Sequence, residues 1–73
     1  KIRQINAIRF IQKIKGLDFL NDKLKETAML RLNEDLTEYN EIAEQLKVKV
    51  SKSTVQKRLA KIEMIAKSLG YNE

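Results

Sequence analysis

Val55, Leu59, Ile62, Ala66 and Leu69 recur at intervals of four, three, four and three residues, with Ile65 on their flank. Only an α-helix puts positions so spaced on one side, so the stretch commits the chain to a helix with one buried face. Two serines could start it. With Ser51 as N-cap, Val50 falls at N′ and Val55 at N4, the pair that closes a hydrophobic staple. Ser53 offers a capping box with Gln56 but leaves Lys52 at N′, where no staple forms. Ser51 is the expected start and Gly70 the expected stop, giving a helix over residues 52–69.

Such a stripe needs neighbours, and three helical segments precede it. Residues 1–15 contain neither glycine nor proline, and Ala7, Phe10, Ile11 and Ile14 share a face. Ile2, Ile5 and Ile8 step round to another side. The first set is expected to pack inward and the second to meet a partner or a second copy, unless a small bundle covers both. Gly16 caps the end of this helix. Asn21 or Asp22 can cap a second helix, whose stripe is Leu24, Ala28 and Leu32, with Leu20 ahead and Arg31 at its edge. Leu36 and Thr37 open a third helix, with Thr37 the expected N-cap and Glu38 and Glu41 favourable against the helix dipole. Tyr39, Ile42, Ala43 and Leu46 face inward, and the small Ala43 suits a close, steep helix crossing. Lys47, Val48, Lys49 and Val50 then form a turn slightly long for the tightest helix-turn-helix, or else a short strand or wing. The expected fold is an all-α, four-helix domain over residues 1–73, with a helix-turn-helix at 37–69.

A chain of 73 residues supports one small domain. It has no cysteine and no histidine, which removes disulfides, thiolate metal sites, nucleophilic triads and the commonest zinc ligands. No carboxylate falls in an apolar setting that would tune it for acid or base work. No enzyme activity, metal or cofactor is therefore expected. No apolar run approaches the roughly 20 residues of a membrane span, so no membrane partner is expected either. There is no signal-peptide pattern, and a cytoplasmic, nucleoid-associated location is expected. The first residue is lysine, which suggests a piece of a longer protein.

The charge is segregated. Residues 34–46 hold five acids and no base, whereas residues 47–61 hold six bases and no acid. A cationic block favours a polyanionic partner. On the face of the last helix opposite Val55 lie Ser53, Thr54, Lys57, Ala60, Lys61 and Met64, with Gln56 on a flank. Its N-terminal half carries the groups that meet base edges in a major groove. Ser53, Thr54, Gln56, Lys57 and Lys61 are the candidate base-reading residues for double-stranded DNA. Lys47, Lys49, Ser51, Lys52 and Arg58 are the candidate phosphate contacts. Lys57 and Lys61 could instead simply solvate the helix, and Arg58 could pair with Glu41 or Glu44.

These residues carry a resemblance. Gly16-Leu17-Asp18, Leu20, Leu24, Arg31-Leu32, Leu36, Ala43 and Leu46 form its first part. Ser51-Lys52-Ser53, Val55, Arg58-Leu59 and Lys61-Ile62 form its most specific part. Across nearly its whole length the chain resembles the C-terminal helix-turn-helix domain of the WhiA family of bacterial sporulation and cell-division transcriptional regulators. The resemblance implies a DNA-binding domain similar to region 4 of sigma factors, following an N-terminal domain that resembles LAGLIDADG homing endonucleases without their nuclease activity. Ser51, Lys52, Ser53, Arg58 and Lys61 match the recognition helix of that pattern. The chain departs from it at Thr54, where glycine is common, and at Gln56 and Lys57, where asparagine and histidine are common. It also has Asn21 in place of a usual proline. Base preference therefore does not carry over. The competing expectation is a protein-interaction module of the same fold, binding a sigma factor or RNA polymerase subunit through the acidic third helix or the Ile2/Ile5/Ile8 face.

Overall fold

The stripe of the last helix is buried from Val55 to Ala66, with Leu69 half-buried, in the computed structural model, which describes residues 2–33, 35–36 and 38–72. Among the described residues the chain forms α1 (Ile2–Ile14), α2 (Asp22–Arg31), α3 (Tyr39–Gln45) and α4 (Lys52–Ser68), with a 3-10 turn at Leu17–Phe19 and no strand. Val55, Leu59, Ile62 and Ala66 of α4 are buried, and each of the other three helices packs against α4, α1 most extensively. Leu24 and Ala28 of α2 and Ile42 and Ala43 of α3 complete one shared core, with Leu20 and Leu46 from the connections.

The division expected for α1 is corrected. Its buried residues are Ala7, Ile8 and Ile11, whereas Ile14 is 50% and Ile2 75% exposed. Viewed down the axis, Ile11 lies between Ala7 and Ile8, so a single arc takes all three. Phe10 and Ile5 are half-buried on either side, and Ile14 lies near the helix end, beyond that arc's deepest part. Gln4 shares the arc and donates from Nε2 to the Tyr39 hydroxyl at 3.0 Å, joining α1 to the start of α3.

The helix ends follow local chemistry. Gly16, at φ 79°, turns the chain out of α1 while its amide reaches the Ile11 carbonyl at 3.0 Å. Asn21 caps α2 by accepting from the Leu24 amide at 2.9 Å. Two polar residues join the buried side of α2. Thr27 donates its hydroxyl to the Lys23 carbonyl at 2.9 Å, and Arg31, only 3% exposed, donates to the Leu36 carbonyl. Thr37, the expected cap of α3, lies outside the described residues; Glu38 occupies the N-cap position, and its amide donates to Glu41 Oε1 at 2.8 Å. At the end of α4 the Gly70 amide bonds the Lys67 carbonyl and the Tyr71 amide bonds the Ala66 carbonyl, both at 3.0 Å. That is the paired bonding of a Schellman cap, and it requires the φ of 108° that Gly70 adopts. Tyr71 is thereby laid against Phe10 of α1, with ring centroids 5.5 Å apart.

The two ends of the α1 isoleucine series should respond differently to truncation. Ile8→Ala should cost about 2–5 kcal/mol, enough to unfold much of a domain this small. Ile2→Ala should stay within about 0.5 kcal/mol. Urea denaturation of the two variants checks this, and equal costs would mean that α1 is rotated about its axis from the position described.

Candidate nucleic-acid interface

Ser51 starts α4. Its Oγ accepts from the Thr54 amide at 3.3 Å, and Val50 packs against the core that holds Val55, as the staple requires. The first turn of α4 contains no acid. The Lys52 and Ser53 amides stand at the first two helical positions, which an α-helix leaves without intrahelical acceptors. They point with the positive end of the helix dipole towards the outside. The Ser51 hydroxyl lies 3.0 Å from the Ser53 hydroxyl and 3.0 Å from that of Thr54, so the cap gathers three hydroxyls at the helix tip. Thr54 is half-buried in that cluster, and Ser53 is exposed.

Between α3 and α4 the chain is irregular over residues 46–51, so the strand or wing alternative for residues 47–50 is not adopted. Leu46 is buried at one end and Val50 half-buried at the other, while Val48 is 76% exposed. One side chain reaches this turn from another helix: Glu26 of α2 accepts the Lys47 amide on Oε2 at 2.9 Å. No spacing in the sequence announces that bond, because its partners are 21 residues apart and Glu26 lies outside every motif.

Gln56, Lys57, Ala60 and Lys61 are exposed on the outer side of α4, and Met64 follows them at 71% exposure. Lys47, Lys49 and Lys52 are exposed on the turn and the helix tip. Arg58 is half-buried and lines a groove between α2 and the turn, together with Asp22, Glu26, Met29, Lys47 and Val50. Among the described residues it forms no ion pair with Glu41 or Glu44. Among the described residues none of the six cations in residues 47–61 forms an ion pair. Lys25 of α2, by contrast, is taken by Asp18. Its hydrogen bond, and then its charge, hold the Asp18 carboxyl below the ordinary aspartate value, and the Lys25 ammonium is raised in return. The surface around the start of α4 therefore combines cations that form no ion pair among the described residues, hydroxyls, an amide side chain and helix-start amides. Those groups can donate to phosphate oxygens and to acceptors on base edges.

A short helix, a turn and a longer serine-capped helix resting on a common core define a helix-turn-helix domain. The chain belongs to the family described as the WhiA C-terminal HTH domain, whose profile matches residues 1–66. A relative from Bacillus cytotoxicus named "Probable cell division protein WhiA" is 44% identical over 73 residues, covering 99% of this chain and 23% of its own length. Proteins of the same name from Thermoanaerobacter sp. and Listeria welshimeri are 44% and 43% identical, over 93% and 99% of this chain. The chain spans 21% to 23% of the length of these relatives. No solved structure matches it.

The cap has a direct check. Ser51→Ala should destabilise the fold by about 1 kcal/mol, because it removes the side-chain acceptor of the Thr54 amide, leaving it only the Ser51 carbonyl at 3.1 Å. Ser53→Ala, whose hydroxyl accepts from no backbone amide, should change stability by less than about 0.5 kcal/mol. Urea titration of both variants decides between the two serines; a reversed order would move the start of α4 to Ser53.

Proposed function

We propose that this chain binds double-stranded DNA, with the N-terminal half of α4 in the major groove, as part of a bacterial transcription regulator related to cell division. One observation carries the reading: residues 47–61 present six cations and no acid, and none of those cations is paired within the described structure. Membership of a helix-turn-helix family and the name of the relatives support it. In this reading Lys47, Lys49, Lys52 and Arg58, with Ser51 and the α4 start amides, anchor phosphates on the strand beside the groove. Ser53, Thr54, Gln56, Lys57 and Lys61 read base edges. Gln56 suits adenine, the lysines suit guanine, and the Thr54 methyl suits thymine. In the longer protein a LAGLIDADG-like N-terminal domain would precede this one.

The alternative is docking on a sigma factor or polymerase subunit through the acidic third helix or the Ile2/Ile5/Ile8 face, and burial of Ile8 in the core weakens only the second of these routes. Salt separates the two readings. Four phosphate contacts predict that log Kd varies with log salt with a slope of magnitude about 3.6, whereas hydrophobic docking would barely respond. Lys47→Ala should weaken binding to all duplexes alike and lower that slope by about one. Gln56→Ala should instead change which duplex is preferred, by about 1–3 kcal/mol at one base pair. Fluorescence anisotropy with a panel of duplexes measures all three. A uniform loss for Gln56→Ala would remove it from the reading face.

A further inference from the structure

We propose that Glu26 of α2 is a positioning residue for the DNA-binding turn: it holds the backbone of residues 47–50 so that the Lys47 and Lys49 cations lie beside the start of α4. The inference rests on the DNA-binding reading above and goes beyond it by assigning a role to an acidic residue on a helix that makes no part of the proposed contact surface. Glu26 Oε2 accepts the Lys47 amide at 2.9 Å across 21 residues of sequence. Among the described residues no other backbone or side-chain hydrogen bond reaches residues 47–50, since their amides and carbonyls pair with no backbone group. Among the described residues the turn is otherwise held at its ends, where Leu46 is buried and Val50 packs on the core. Between them Val48 is 76% exposed and contributes little packing. A loop tethered only at its ends keeps conformational freedom that binding must remove, and that loss subtracts from affinity. Fixing the Lys47 amide removes part of it beforehand. Glu26 is itself half-buried on α2, a helix that Asn21 caps and the core holds, so the anchor point is rigid.

Charge alone makes the opposite prediction. Glu26 lies beside cations proposed to meet phosphates, so removing its negative charge should strengthen DNA binding. Glu26→Gln and Glu26→Ala remove that charge equally, but only glutamine keeps an oxygen able to accept the Lys47 amide. Their difference therefore isolates the hydrogen bond. Alanine is also the better helix former, so loss of α2 propensity cannot account for weaker binding by the alanine variant.

The test titrates both variants and the unaltered chain with a fluorescein-labelled, mixed-sequence duplex, and follows amide hydrogen exchange by NMR without DNA. Glu26→Ala should bind about three- to tenfold more weakly than Glu26→Gln, and its Lys47 amide should exchange faster by a similar factor. Glu26→Gln should bind at least as tightly as the unaltered chain. Equal binding by the two variants, or unchanged Lys47 exchange in Glu26→Ala, would overturn the proposal. So would a general loss of protection at Leu59 and Ile62, which would make Glu26 a stabiliser of the whole fold. If the unaltered chain does not bind duplex at all, the DNA reading fails. The part assigned to Glu26 in DNA binding fails with it, while the Lys47 exchange still shows whether Glu26 holds the turn.

Discussion

Val55, Leu59, Ile62 and Ala66 are buried down one side of α4, and α1, α2 and α3 each rest apolar surface on that stripe. The same helix supplies the outer face on which the cations, hydroxyls and Gln56 stand. Because an α-helix fixes the angle between its faces, burying one side sets the direction of the other. The core and the α4 part of the proposed contact surface are thus two sides of one element. This explains why so small a chain can present a defined surface on α4, beside which the turn of residues 47–50 adds Lys47 and Lys49. Substitutions on the stripe should alter binding only through stability, whereas those on the outer face should leave stability nearly unchanged.

The helix before it has the opposite problem. At seven residues α3 is too short to hold its conformation alone, and it depends on contacts made at its two ends. At its start, Gln4 of α1 donates to the Tyr39 hydroxyl, and Arg31 of α2 ties down the Leu36 carbonyl just ahead. Just beyond its end, Glu26 takes the Lys47 amide. Ile42 and Ala43 lie buried between these ties. Polar contacts reaching from α1 and α2 therefore fix how α3 and the following turn approach α4. Ala43 is buried within α3, and the polar ties hold the chain on either side of it.

Local chemistry made much of this legible in the sequence. The Ser51 cap with its Val50/Val55 staple, the Asn21 cap and the Gly70 stop all act within a few residues, and each lies where its pattern indicates. The buried face of α1 was less legible. Isoleucines occupy enough of that helix that several arcs look apolar, and the surface of α4, not the α1 sequence, selects the one containing Ala7, Ile8 and Ile11. Arg31 stands at the edge of the α2 stripe in the sequence yet is buried, with one guanidinium nitrogen donating to the Leu36 carbonyl. Glu26 could not have been found at all from spacing, since its partner is a backbone amide and any residue at position 47 other than proline would supply one. In the contact surface, the residues were legible by type and by face. The clustering of the Ser51, Ser53 and Thr54 hydroxyls emerged only with the geometry of the cap.

The central claim is that the outward side of α4 and the turn before it meet duplex DNA. A titration of the isotopically labelled chain with duplex, followed through backbone amide shifts, tests it residue by residue. The expected result is a continuous set of shifted amides over residues 47–61, with the outer surface of α3 and the Ile2 end of α1 unchanged. Shifts concentrated on α3 or at Ile2, with residues 47–61 silent, would contradict the account.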